Sequence, residues 1–148
     1  MTNAVIRKVL AAVAAVFITM TGAWALTIET TTDMYGHTFS YTLDHNKNAT
    51  IVRSEDYKTF SGLVALPASC GGNNVSAIGD RAFEGCPKLE AVILPNSIER
   101  IGAYAFANCP VLSYVGRALE GTGGVSILPD KTKHIGVGAF DGTAGEAK

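Results

Sequence analysis

The segment "IGDRAFEGCPKL" (Ile78–Leu89) returns 23 residues later as "IGAYAFANCPVL" (Ile101–Leu112), keeping Ile-Gly, Ala-Phe, Cys-Pro and Leu in place. A third copy, "IGVGAFDG" at 135–142, holds Ile135, Gly136, Ala139 and Phe140 in the same frame. A Leu-Pro pair precedes each copy, at Leu66-Pro67, Leu94-Pro95 and Leu128-Pro129, and all five prolines of the chain occupy either the Leu-Pro or the Cys-Pro position. One unit of this length cannot bury its own apolar side, whereas units laid on one another share a continuous interior. The drifting letters between the fixed ones then belong to the solvent side. From Leu94 to Ile101 and from Leu128 to Ile135 the spacing is seven residues, but from Leu66 to Ile78 it is twelve, so "ASCGGNNVS" carries about five extra residues. A second insertion, of eleven residues, falls in "GRALEGTGGVS".

Within one unit, "LEAVILP" (Leu89–Pro95) reads as a short strand with Val92 and Leu94 inward and Ala91 and Ile93 outward. Pro95 lacks an amide hydrogen and ends it. Ile98 and Ile101 point back inside, Gly102 permits a sharp bend, and "AYAFANC" is expected to return as a brief helical turn with Phe106 and Cys109 as core fillers. By the same frame the interior takes Leu66, Ile78, Phe83, Cys86, Leu89 and Leu112, and in the last unit Leu128, Ile135 and Phe140. Upstream, "FSYTL" (Phe39–Leu43) alternates apolar and polar residues, "DHNKN" is rich in turn formers, and "ATIVR" (Ala49–Arg53) is the returning strand of a hairpin. That hairpin is expected to close the first unit. After Phe140 the sequence reads "DGTAGEAK", too short for another strand and helical turn, so the last unit is expected to stand open, within a short or truncated array or covered by another subunit.

These residues resemble the BspA-like class of leucine-rich repeats, whose units read roughly Leu-x-x-Ile-x-Leu-Pro-x-x-Ile-x-x-Ile-Gly-x-x-Ala-Phe-x-x-Cys. "LEAVILPNSIERIGAYAFANCPV" follows that pattern at nearly every fixed position, and the resemblance spans about residues 61–142. It fades after Leu112, where Arg117 stands at an inward apolar position and leaves strand placement up to Pro129 open. The resemblance implies a mainly β fold: a short leucine-rich-repeat solenoid with an N-terminal β-hairpin cap and short helical turns on the convex side. It also implies a non-catalytic binding role in adhesion at the cell surface, to proteins of another cell or of the extracellular matrix.

The N-terminus carries an export signal: Arg7 and Lys8, an apolar run from Val9 to Gly22, then small residues around "AWA" at 23–25. Cleavage after Ala25 is expected, the alternative being an uncleaved anchor, since the apolar stretch approaches the shortest bilayer-spanning length. The division is therefore a signal peptide at 1–25, a capping hairpin region at 26–60, repeats at 61–142 and a tail at 143–148. The protein is expected to be secreted or held at the cell surface.

Charge and cysteine usage narrow the remaining classes. With 12 Lys and Arg against 13 Asp and Glu, nothing favours a nucleic acid or an anionic membrane surface. Three cysteines in an exported chain cannot form a closed disulfide framework. Cys86 and Cys109 hold equivalent places in adjacent units, where a rung spacing of about 4.8 Å favours a ladder of thiols over a bond. Cys70, in the inserted loop, is expected to be an exposed thiol. "NAT" (Asn48–Thr50) and "NVS" (Asn74–Ser76) fit the glycosylation triplet, which matters only in a pathway that glycosylates.

Few residues fall in catalytic patterns. No Gly-x-Ser-x-Gly elbow and no His-Glu-x-x-His occurs. "GVGAFD" at 136–141 lacks the third glycine of a dinucleotide loop, and "GTGG" at 121–124 lacks the Lys and Ser/Thr of a phosphate loop. Asp33, His37, Asp44 and His45 match no ligand spacing, and a Cys109–His134 pair fails because a core thiol is held protonated. No cofactor, no metal and no enzymatic activity are expected, an exported hydrolase being the least favoured reading. What remains is a surface: Ala65, Ala91 and Ile93 on the outward strand positions, with Tyr114 and Ile127 nearby, form an apolar stripe suited to a protein partner. The same residues also serve as β-favouring fillers of a small exposed sheet. A structural alternative is self-association through the open C-terminal unit.

Overall fold

The computed structural model describes residues 27–117 and 127–144. Residues 1–25, the expected signal peptide, lie outside that set, as does "GTGG" at 121–124. The described residues are mainly β, with ten short strands among them: β1 (Glu29–Thr32), β2 (Thr38–Leu43), β3 (Ala49–Val52), β4 (Ser61–Ala65), β5 (Ser69–Cys70), β6 (Asn73–Ile78), β7 (Lys88–Ile93), β8 (Arg100–Ile101), β9 (Tyr114–Gly116) and β10 (His134–Ile135). They form two sheets. One has the order β1-β2-β3-β6-β8-β10 with β5 against β6, and the other the order β4-β7-β9.

The repeat frame dictates this pairing. Ile51, Ile78, Ile101 and Ile135 are direct neighbours across the parallel rungs β3, β6, β8 and β10. In the second sheet Val64, Val92 and Val115 align across parallel β4, β7 and β9. Each repeat thus places one strand in each sheet, and its side chains fall on those of the next. The phenylalanines make the stacking plain. Phe39, Phe60, Phe83, Phe106 and Phe140 form one column, with successive centroids 5.4, 5.4, 5.3 and 5.7 Å apart and the rings of the last two contacts nearly parallel. Every expected core position from Leu66 to Leu112 is buried, while Leu128 and Phe140 are partly buried against the core.

Four expectations need correction. Ile135 is 52% exposed, because β10 is the final rung and no strand lies beyond it among the described residues. Cys70 is buried, because the inserted segment folds back as the antiparallel pair β5–β6 and turns the thiol inward. Gly102 is not among the glycines with positive φ. Its lack of a side chain serves close approach instead: a Cβ there would lie 2.5 Å from Gly79 C and 2.5 Å from Asp80 N of the preceding repeat.

The fourth correction concerns the return segments, which are successions of turns rather than helix; the one helical element among the described residues is the 3-10 turn Tyr57–Thr59. Backbone hydrogen bonding explains why. Ala82, Glu84 and Cys86 donate within the repeat, to Gly79, Arg81 and Phe83 carbonyls, while Arg81, Phe83 and Gly85 donate to Ala103, Ala105 and Ala107 of the next repeat at 2.9, 2.7 and 2.8 Å. An α-helix would need all six donors for itself. Alternate donors pointing outward require local left-handed backbone, found at Arg81 and Gly85, at Tyr104 and Asn108, and at Gly138 and Gly142. These are the same two positions in three successive repeats.

Candidate functional site

In the sheet β4–β7–β9, alternation sends Val64, Leu66, Leu89, Val92, Leu94 and Val115 into the core. The opposite face carries two cross-strand rows: Leu63, Ala91 and Tyr114 in one, Ala65, Ile93 and Gly116 in the other. The structure therefore brings Ala65, Ala91, Ile93 and Tyr114 onto one face, Ala65 exposed and the others half-buried. Ile127 adjoins it through the Arg117 amide, which donates to the Ile127 carbonyl at 2.9 Å.

Leu63 was missed, and it is the most exposed large apolar residue of this face, at 63%. The register shifts between Gly62 and Leu63, so that Leu63 lies opposite Ala91 rather than Glu90. A bulge of this kind re-aims the side chain that follows it. Its signal lay in "SGLVALP", where Leu63 stands two residues before Ala65 in the alternation that placed Ala65 outward.

Close packing fixes the far end of the face. The Tyr114 hydroxyl donates to the Arg117 carbonyl at 2.7 Å. A Cβ at Gly116 would lie 2.7 Å from the Ile127 carbonyl oxygen and 3.1 Å from the Tyr114 hydroxyl, so the second row ends in bare backbone. Arg117 does not enter the core as an apolar residue would; it is half-buried and pairs with Asp130 at 3.1 Å. Exposed Lys88 and Glu90 border the near end, leaving the face without a dominant charge.

The other candidate groups are dispersed. Asp33 and His37 pair in the β1–β2 turn at 2.9 Å, with the His37 ring 5.7 Å from Phe60 at the end of the aromatic column. Asp44 and His45 sit in the turn at the opposite end of β2, where backbone and side-chain hydrogen bonds from Asn48 hold the Asp44 carboxyl below its usual range. No group of three metal-ligating side chains occurs among the described residues. His134 is exposed on β10, whereas Cys109 is buried and its thiol donates to the Phe83 carbonyl at 3.0 Å. All three cysteines are free and buried. Hydrogen bonding with Cys109, then burial, pushes the Cys86 thiol up, and burial pushes Cys70 up to about 12. Such thiols are poor nucleophiles. Asn74 is exposed on β6, while the Asn48 amide is engaged with Asp44 at 3.2 Å.

Comparison with known proteins agrees with this architecture. Residues 56–117 match the family described as "BspA type Leucine rich repeat region (6 copies)". Among solved structures, the chain is similar to a leucine rich cell surface protein from Faecalibacterium prausnitzii, at 28% identity and a TM-score of 0.53, over 72% of this chain and 26% of that one. The chain thus spans about a quarter of that protein's length. A leucine-rich repeat protein from Bacteroides capillosus matches at 27% identity and a TM-score of 0.46, over 53% of this chain and 67% of that one. The T. pallidum leucine rich repeat protein matches at 26% identity and a TM-score of 0.47, over 68% and 63%. No curated protein matches significantly. With the repeated Ile-Gly, Ala-Phe and Cys-Pro anchors stacked as described, residues 56–117 match the BspA-type leucine-rich repeat in both sequence pattern and packing.

Proposed function

We propose that this chain is an exported, non-catalytic protein-interaction module. In this reading it is a short solenoid, capped at its N-terminal end by the β2–β3 hairpin, that binds a protein of another cell or of the extracellular matrix. The supporting observation is the outer face of β4–β7–β9, where Leu63, Ala91, Ile93 and Ala65 form an apolar surface on a rigid parallel sheet. Rigid, shallow apolar faces with polar borders suit protein partners. The similarity to a cell surface protein of F. prausnitzii, and the export signal at 1–25, support a surface or secreted location.

The test is binding of the fluorescently labelled chain to intact cells and to immobilised matrix proteins. Leu63→Asp and Ile93→Lys are each expected to weaken binding about tenfold or more, as central contact residues do, with the circular dichroism spectrum unchanged. Full binding by both variants would refute this face as the contact. A second reading, self-association through the last repeat, is favoured by the exposure of Ile135 and Val137 at that end.

A further inference from the structure

Successive repeats are joined by one pattern of edge groups. Beside β10, the Glu99 carbonyl accepts from the Lys133 and His134 amides, and the Ile101 carbonyl accepts from Gly136. Further along the same edge the relation reverses: the Tyr104, Phe106 and Asn108 amides donate to the Val137, Ala139 and Asp141 carbonyls at 3.0, 2.8 and 2.7 Å. The equivalent groups one repeat later are the carbonyls of Lys133 and Ile135, followed by the amides of Gly138, Phe140 and Gly142. Those three amides meet no acceptor among the described residues. At the centre of the edge Ile135 is 52% and Val137 73% exposed. Charge is divided as the hydrogen-bonding groups are, with exposed Lys131 and Lys133 on the acceptor half and exposed Asp141 on the donor half.

We infer that this edge joins two copies of the chain about a two-fold axis through Gly136 and Val137. This deepens the self-association reading above and rests on it. An edge with acceptors on one half and donors on the other is complementary to itself when reversed, which is the condition for a closed, isologous contact. Rotation sets the Lys133 and Ile135 carbonyls against the Phe140 and Gly138 amides of the second copy. It also places that copy's Asp141 between Lys131 and Lys133, and the apolar Ile135 and Val137 at the axis. Backbone donors on an open edge are the usual template for such pairing. The opposite end of that sheet is β1, outside the repeats, so a copy stacked head to tail would not meet the pattern of groups that one repeat offers the next.

Sedimentation equilibrium on the exported chain tests this with Asp141→Lys, with Lys131→Glu and Lys133→Glu together, and with all three changes, all at exposed positions that leave the core untouched. A monomer–dimer equilibrium is expected, weakened about tenfold or more by either the acidic or the basic reversal and restored by the three changes together, because like charges facing across a contact oppose it. Restoration by the full reversal cannot come from damage to the fold. A wild-type chain monomeric up to about 1 mM would remove the self-association reading and this inference together. Association that ignores both reversals, or that grows past the dimer, would leave self-association standing and overturn the two-fold edge.

Discussion

Replacing Gly102 by alanine separates two reasons for an invariant-looking glycine, conformational freedom and close approach. The φ of Gly102 is not positive, so L-alanine meets no conformational penalty there. Its Cβ, however, would stand 2.5 Å from Gly79 C, Asp80 N and Asp80 Oδ1, all in the preceding repeat. Carbon contacts settle at about 3.5–4.0 Å, so the two repeats must part by about 1 Å at this corner. The opening stretches the bond from Gly102 N to the Ile78 carbonyl (2.8 Å) and that from Ala103 N to Asp80 Oδ1 (2.9 Å). At about 1 kcal/mol for each bond, and a similar loss of dispersion along the gap, the cost is about 3 kcal/mol. Gly85 offers the contrast. Its φ is +74°, and the nearest atom to a Cβ is a Tyr57 side-chain carbon at 4.0 Å, so Gly85→Ala carries only the left-handed penalty of about 1 kcal/mol. Urea unfolding followed by far-ultraviolet circular dichroism measures both, with unchanged slopes confirming a common unfolded state. Should Gly85→Ala prove as costly as Gly102→Ala, backbone conformation rather than repeat spacing sets the glycine positions.

The aromatic column predicts a gradient: Phe106→Ala is expected to cost about 4 kcal/mol and the half-buried Phe140→Ala about 2. A double-mutant cycle on Phe83 and Phe106, whose rings lie 5.3 Å apart, is expected to show about 1 kcal/mol of coupling in equilibrium unfolding. Tyr41→Phe removes the 2.6 Å bond from the buried hydroxyl to Glu29 and is expected to cost about 1.5 kcal/mol, read as a lowered melting temperature. The Cys70 thiol keeps its proton up to about 12 when folded but loses it near 9.0 when unfolded. The unfolded chain therefore binds fewer protons above that point, and this thiol's contribution to stability falls as pH rises from about 9 to about 12. Cys70→Ser is expected to flatten that limb of the unfolding profile, and an unchanged alkaline limb would count against the burial argument.

Much of the architecture was legible because stacked repeats convert a period in sequence into neighbours in space. The spacing of Ile78 and Ile101 made them rung partners, and the shared frame of Phe83 and Phe106 stacked their rings. The outward position of Leu63 was legible in the alternation that leads to Ala65, but its partner was not: the register shift beside Gly62 sets it against Ala91, and a shift leaves no letter of its own. Cys70 was misread because its position depends on β5 pairing back onto β6, a contact made within an insertion that breaks the period.

The return segments mark the boundary most sharply. "AYAFANC" has the composition of a helical turn, and its amides would close on themselves if the repeat stood alone. Packed in the molecule, every second amide finds a carbonyl of the adjacent repeat at 2.7–3.0 Å, and the backbone at Tyr104 and Asn108 turns left-handed to reach it. Which residues lie inside was set by the order of apolar letters, since burial is local to each side chain. Where the backbone bonds go was decided only when repeats came into contact, since the acceptors belong to residues more than twenty positions away.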